Sequence, residues 1–207
     1  MSNFFQQDNP LFRFMGRFFD LMHINLLFIL TSIPLFTIGA SLSASYSICL
    51  KIINNEEPSI TKEYFKAFKL NFKQATIIWL SLLFGLCFFG YDLYIIYCVI
   101  DPKYLFIQVP VWIIIALLVS IFIYSFPQIG RFESTTKNIV KNSILISLSN
   151  LPVTIFYVVI HLILYYLTFV EYKNIIIAFS LVIFFGFAAI IYFFSIFFNR
   201  IFDKIQG

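Results

Sequence analysis

Long apolar runs separated by short polar segments make up most of the chain. In the run at residues 18–53, no charged side chain occurs from Leu21 to Leu50. This stretch of 30 residues is too long for one straight crossing of a hydrocarbon core, which takes about 20 residues. Pro34 and Gly39 lie in its middle, and both residue types break helices. The pattern therefore predicts two short helices that meet at a turn, SIPLFTIGAS.

Four further apolar runs follow the first one, and short polar segments separate them. The runs are continuous and lack the alternation of a transmembrane barrel strand, so helices are favoured. We predict an all-α, polytopic membrane helix bundle with about six transmembrane segments, formed by a single transmembrane domain over residues 1–207. The predicted spans are approximately residues 18–34, 39–53, 74–100, 104–127, 144–169 and 175–199.

The composition supports a membrane environment. Hydrophobic residues make up 61% of the 207 residues and charged residues only 12%, whereas a soluble domain carries about 25% charged residues. The mean hydropathy is +0.93. Such a chain has too little polar surface to cover a water-soluble globule, so we expect the lipid bilayer as its main partner and no nucleic acid.

Residues 59–73 have the two-faced pattern of an amphipathic helix. The aromatic and aliphatic face carries Ile60, Tyr64, Phe65, Phe68 and Phe72. The opposite face carries Lys62, Lys66, Lys69 and Lys73. A basic amphipathic helix of this kind is typical of the headgroup layer, with its aromatics toward the membrane and its lysines toward anionic lipid. Docking of a partner protein on the lysines is the alternative.

The distribution of basic residues predicts the orientation, because Lys and Arg concentrate in cytoplasmic segments. If both termini are inside and the first two helices return the chain to the side that it left, twelve of the 14 Lys and Arg residues lie inside. Only Lys103 and Lys173 then lie outside. Two full crossings and a re-entrant hairpin give the same loops, and six full spans are the preferred interpretation.

Few polar side chains lie inside the predicted spans. Asp92 is nine residues before Asp101, and His161 is eight residues before Phe169, so each lies about 12–13 Å from the outer turn. Together with Tyr157 these two residues form a candidate polar pocket. The alternative is that they are interfacial residues that reach water or pair only for structure.

The sequence contains no phosphate loop, no metal-binding helix motif and no nucleophile elbow. We therefore expect no catalytic residues, no metal, no cofactor and no enzymatic activity. Asn25 is expected to form a hydrogen bond between helices. The turn at Pro34–Gly39 has two open interpretations, which are close packing of the helices and the lining of a ligand cavity.

The segment NPLFRFMGRFFDLMHINLLFILTSIPLFTIGASLSASYSICLKI resembles the start of the YesL-like bacterial membrane proteins, the family known as domain of unknown function 624. The family pattern is an apolar helix with Asn, then S-x-P-x-x-T-x-G, then small residues. The matching positions in this chain are Asn25, Ser32, Pro34, Thr37 and Gly39. The resemblance continues in FKAFKLNFKQATIIWL and YSFPQIGRFESTTKNIVKNSILISLSNLPVTI, and covers about residues 9–199.

The resemblance implies a multispanning protein of the bacterial cytoplasmic membrane, and many members are encoded beside carbohydrate uptake systems of the ABC type. It implies no reaction and no catalytic residues. We expect an accessory or permease-like component of oligosaccharide uptake, with ABC transporter subunits or another membrane protein as partners. An ATP-driven role would need a partner ATPase that contacts residues 54–73 or 128–142. The alternative is a sensor or scaffold that holds a signalling partner. The sequence leaves the substrate and the oligomeric state open.

Overall fold

The computed structural model describes residues 10–99, 106–169, 180 and 182–206. The regular helices are α1 (Pro10–Ser32), α2 (Ile38–Ile53), α3 (Ile60–Cys98), α4 (Gln108–Arg131), α5 (Thr136–Ser149), α6 (Leu151–Phe169) and α7 (Phe187–Gln206). A 3₁₀ turn, Leu35–Thr37, precedes α2, and a π-helical turn, Val182–Gly186, precedes α7. No strand occurs among the described residues. The predicted turns at 101–103 and 171–174 lie outside the described residues.

The prediction of an all-α polytopic membrane bundle is confirmed. Five helical segments are long and apolar enough to cross a membrane. They are Leu35–Ile53, Ile60–Cys98, Gln108–Arg131, Leu151–Thr168 and Val182–Ile205. The predicted last span, 175–199, begins outside the described residues and is seen from residue 182 onward.

The α1–α2 hairpin has the predicted break. The described part of helix α1 runs from Pro10 to Ser32. Pro34 has extended backbone angles (φ −75°, ψ 113°), and the 3₁₀ turn follows it directly. The chain then reverses into α2, so Pro34 marks the corner of the hairpin, whereas Gly39 is helical and lies in the first turn of α2.

Helix α3 differs from the prediction, because the amphipathic segment and the third span form one helix of 39 residues. Neither Gly nor Pro occurs between Ile60 and Phe84, so nothing interrupts the backbone at Lys73. Its length is about 58 Å, nearly twice the hydrocarbon thickness of about 30 Å. The aromatic face also packs inward, with Tyr64 fully buried and with Phe68 and Phe72 against the core.

The predicted fifth span is divided at Asn150 into α5 and α6. Thr135 begins α5, and its side chain accepts a hydrogen bond from the Asn138 backbone N–H at 3.4 Å, as an N-cap residue does. Pro152 lies in the first turn of α6, where a missing N–H costs little. Two helices with a break at Asn150 therefore replace the single predicted span.

Helix α2 occupies the centre of the bundle and contacts α1, α3, α4 and α7. Twelve of its 16 residues are buried, and most of the buried ones are Gly, Ala, Ser or Cys. A Cβ atom on Gly39 would lie 2.5 Å from the Ala75 carbonyl oxygen of α3. A Cβ atom on Gly130 of α4 would lie 2.8 Å from the Ser43 carbonyl oxygen of α2. Backbones meet at these two points without intervening side chains, which is how small residues allow close helix packing.

The contact at Gly39 predicts a steric effect. In Gly39→Ala, the added methyl group would collide with the α3 backbone, so the free energy of unfolding in detergent should fall by about 1–3 kcal/mol, the usual cost of overpacking. Gly90→Ala is the matched control on α3, because no atom lies within 4 Å of its added Cβ. Equal stability of the two variants would contradict the close contact.

Candidate functional site

Internal hydrogen bonds satisfy the backbone at the corner of the α1–α2 hairpin. The Thr37 hydroxyl lies 2.5 Å from the Thr31 carbonyl oxygen and 2.6 Å from the Pro34 carbonyl oxygen. The Thr31 carbonyl is in the last turn of α1, where carbonyls lack intrahelical partners, and the Pro34 carbonyl also accepts the Thr37 backbone N–H at 2.9 Å. The Ser32 hydroxyl is buried and has no hydrogen-bond partner among the described residues.

A second set of polar contacts connects the corner to α3. The Thr31 hydroxyl lies 2.9 Å from the Ser41 hydroxyl and 2.8 Å from the Tyr64 hydroxyl. Tyr64 thus joins α3 to both arms of the hairpin. These contacts support the packing interpretation of the corner, and the cavities described below are lined by other residues.

Asn25 connects α1 to the π-helical turn before α7. Its side-chain nitrogen donates to the carbonyl oxygens of Val182 (3.0 Å) and Ile183 (2.7 Å), and its side-chain oxygen accepts from the Ala188 N–H (3.1 Å). Asn25 is fully buried. A π-helical turn displaces the regular hydrogen-bond ladder, and this amide binds backbone groups on both sides of the displacement. The predicted interhelical hydrogen bond is therefore present.

The structure brings together two of the three residues of the candidate polar pocket. The rings of Tyr157 and His161 stack with their centroids 4.2 Å apart. Tyr157 also packs against Phe194 of α7, at a centroid distance of 4.2 Å. No hydrogen bond or ion pair joins Asp92 to His161 or to Tyr157 in the described part of the chain. Asp92 lies on α3, which packs mainly on α2 and α4. The other two residues lie on α6, where their rings pack against Phe194 of α7.

The four lysines of the amphipathic segment form an exposed stripe on α3. Lys62, Lys66, Lys69 and Lys73 are all exposed, and their spacing of four, three and four residues keeps them on one side of the helix. We call this stripe the lysine face. It is turned away from the buried Tyr64.

Two cavities flank the connection between α4 and α5. The larger, about 610 Å³, lies between α4, α5 and α7. Its polar lining includes Gln128, Glu133, Asn142, Asn150 and Lys204. The smaller, about 390 Å³, lies between α2, α3 and α4. Its polar lining includes Ser47, Asn71, Gln74, Arg131 and Glu133. Phe132, Glu133 and Ser134 border both cavities, so one short connection separates them.

This arrangement places two predicted cytoplasmic segments beside each other. Ala67, Leu70 and Asn71 of α3 line the smaller cavity together with residues 129–134. The Gln74 side chain donates to the Ser134 carbonyl oxygen at 2.8 Å. The end of segment 54–73 and the start of segment 128–142 therefore share one surface.

A polar cluster fixes α4 beside α7 at the same end of the bundle. The Arg131 guanidinium donates to the side-chain oxygens of Asn199 (2.6 Å) and Asp203 (2.5 Å). It also lies 5.7 Å from the centre of the Phe202 ring, within the range of a cation–π contact. Asn199 in turn donates to the Asn54 side chain at 3.0 Å. This Arg131 cluster positions Phe132 and Glu133, which border both cavities.

Sequence reasoning did not identify the partners of Arg131 on α7, Asn199 and Asp203. One signal was present, since Asn199 and Asp203 are four residues apart on an apolar helix and therefore share a face. Their partner is about 70 residues away in the chain, and no local pattern indicates it. Gln128 was also missed, although it lines the larger cavity and its buried side chain donates to the Ser143 hydroxyl at 2.8 Å.

Comparison with known families finds a match over part of the chain. The model described as "Protein of unknown function, DUF624" matches residues 21–93. The matched region begins in α1, contains all of α2 and ends in α3. It confirms the predicted resemblance and includes Asn25, Ser32, Pro34, Thr37, Gly39 and the lysine face. The chain matches no curated protein and no solved structure.

The Asn25 contacts predict a large effect of a small change. Asn25→Ala leaves two carbonyl groups of the π-helical turn and the Ala188 N–H of α7 without their partner, so the free energy of unfolding should fall by about 2 kcal/mol or more. Hydrogen exchange should accelerate at Ala188. Asn142→Ala is the control, because Asn142 is exposed. Unchanged exchange at Ala188 in Asn25→Ala would contradict the assigned role.

Proposed function

We propose that the protein is a non-enzymatic accessory component of an oligosaccharide ABC uptake system in a bacterial cytoplasmic membrane. In this role it binds a transporter subunit through the surface around the α4–α5 connection. The five membrane-length helices support a multi-pass membrane protein. The transporter context comes from the family resemblance.

The single observation that carries the proposal is the meeting of segments 54–73 and 128–142 at one surface with two open cavities. Both segments are basic, and both belong to the predicted cytoplasmic side. A transport ATPase works on that side of the membrane, and this chain has no nucleotide-binding motif. A partner that supplies ATP hydrolysis would therefore meet this surface.

The lining of the larger cavity supports a protein partner. Leu145 and Ile205 are more than half exposed at its edge. Glu133, Asn142 and Lys204 surround them with polar groups. An apolar centre with a polar rim is the usual composition of a protein interface. A volume of about 610 Å³ is enough to receive a few side chains of a docking helix.

The growth of a deletion strain tests the functional context. Deletion of the gene should abolish or slow growth on at least one oligosaccharide, because uptake would lack a component, and re-expression of the protein should restore growth. Normal uptake of every oligosaccharide in a broad panel would contradict the proposal.

Substitution inside the larger cavity tests the docking surface. Asn142→Trp would fill the cavity and should reduce recovery of an ABC subunit with the tagged protein at least severalfold. Asn138→Trp is the matched control, because it lies one turn earlier on α5, is also exposed, and does not line the cavity. Equal recovery with both variants would contradict docking at this surface. Recovery of a kinase or regulator in place of an ABC subunit would favour the sensor or scaffold function.

A further inference from the structure

The outward face of α3 carries three chemically different zones in order. The lysine face comes first and occupies residues 62–73. Exposed apolar side chains then continue the same stripe at helical spacing. They are Ile77, Leu80, Phe84 and Phe88. Exposed tyrosines follow, Tyr91 and Tyr94. The intervals of three and four residues keep all of these positions on one side of the helix.

This order corresponds to the layers of a membrane. Lysines interact with anionic headgroups, apolar side chains face the hydrocarbon, and tyrosines concentrate at the interface. Tyr91 is 18 residues beyond Lys73, which is about 27 Å along a helix and close to the hydrocarbon thickness of about 30 Å. The four lysines form no ion pair with described residues, so their charge is available to the headgroups. The stripe therefore locates the hydrocarbon between Lys73 and the two tyrosines.

The positions along α3 also give the depth of the α1–α2 hairpin in the membrane. Its corner contacts α3 at Trp79, whose indole N–H donates to the Leu35 carbonyl oxygen at 2.9 Å. Gly39 packs against Ala75. Trp79 is six residues beyond Lys73, which is about 9 Å along the helix. A full crossing would need about 30 Å.

The open end of the hairpin lies beside the beginning of α3. Lys51 near the end of α2 forms an ion pair with Glu63. Arg17 of α1 donates to the Ile52 carbonyl oxygen at 2.9 Å. His23 lies 2.9 Å from the Thr61 hydroxyl. The two α3 residues in these contacts, Thr61 and Glu63, precede Lys73, so the open end of the hairpin lies at the level of the lysine face.

The corner has the chemistry of a segment that dips into lipid. Ile33 and Leu35 are 72% and 74% exposed, and Phe36 beside them is also exposed. Irregular backbone at membrane depth must be satisfied by the protein itself, and the Thr37 hydroxyl reaches two of the corner carbonyls. An apolar tip with an internally bonded turn suits the acyl region of one leaflet.

We propose that the lysine face binds the phosphate groups of anionic lipids in the cytoplasmic leaflet, and that the α1–α2 hairpin beside it is re-entrant. The hairpin turns at Pro34–Gly39 inside that leaflet and returns to the side from which it came. This inference is independent of the proposed role in uptake. It selects between the two hairpin topologies that the charge distribution leaves equivalent.

Cysteine labelling from outside the cell tests the depth of the corner. In a Cys98→Ser parent, Leu35→Cys should remain unlabelled by a membrane-impermeant maleimide. Phe106→Cys, at the opposite end of α3 and α4, should be labelled. Glu57→Cys, in the α2–α3 connection, should be labelled only after the membrane is opened. Labelling of Leu35→Cys from outside in intact cells would overturn the re-entrant hairpin, because only a full crossing exposes the corner there.

Lipid-dependent stability tests the lysine face. The purified protein should melt at a higher temperature in vesicles that contain phosphatidylglycerol than in pure phosphatidylcholine. Replacement of Lys62, Lys66, Lys69 and Lys73 by Gln should remove most of this shift. Replacement of Lys137, Lys141, Arg200 and Lys204 by Gln is the charge-matched control and should retain it. An equal shift in both quadruple variants would overturn the assignment. The assignment would also be overturned if inorganic phosphate, added without phosphatidylglycerol, raised the melting temperature by the same amount.

Discussion

The close backbone contact between α2 and its two neighbours is the constraint on which the rest of the structure depends. Gly39 allows α3 to approach one end of α2, and Gly130 brings α4 against its middle. A lipid-exposed bundle gains little from hydrophobic burial between helices, so close van der Waals packing has to supply the stability. The long run of small residues in α2 is therefore a requirement of its central position. It also fixes the register of the hairpin against α3.

Polar side chains in this bundle mainly form hydrogen bonds to backbone groups at positions where the chain departs from a regular helix. Thr37 does so at the hairpin corner, and Asn25 does so at the π-helical turn before α7. An unsatisfied carbonyl in hydrocarbon is costly, so each irregularity is accompanied by a nearby polar side chain. This explains why two of the motif residues in the matched region form hydrogen bonds within the protein. The surface around the α4–α5 connection differs, because its cavities present Glu133, Asn142 and Lys204 outward.

The sequence predicts the features of this protein that depend on local chemistry. The apolar runs indicate the helices, Pro34 and Gly39 indicate the hairpin corner, and the lysine spacing indicates an exposed face. The continuity of α3 could have been inferred from the lack of Gly or Pro near Lys73, but the change from a charged to an apolar pattern suggested a boundary. Contacts between distant segments were beyond local reasoning. Asn25 binds the backbone of the π-helical turn, which is more than 150 residues away in the chain. The Arg131 cluster joins α4 to α7, and its members are about 70 residues apart.

The central claim is that packing on α3 sets the depth of the hairpin and prevents a full crossing. An electron cryomicroscopy structure of the protein in a lipid nanodisc would measure that depth directly against the density of the two leaflets. The account predicts Leu35 beside Trp79, about 9 Å inside the hydrocarbon boundary on the lysine side. A corner that emerges at the opposite membrane surface, at the level of Tyr94, would contradict it.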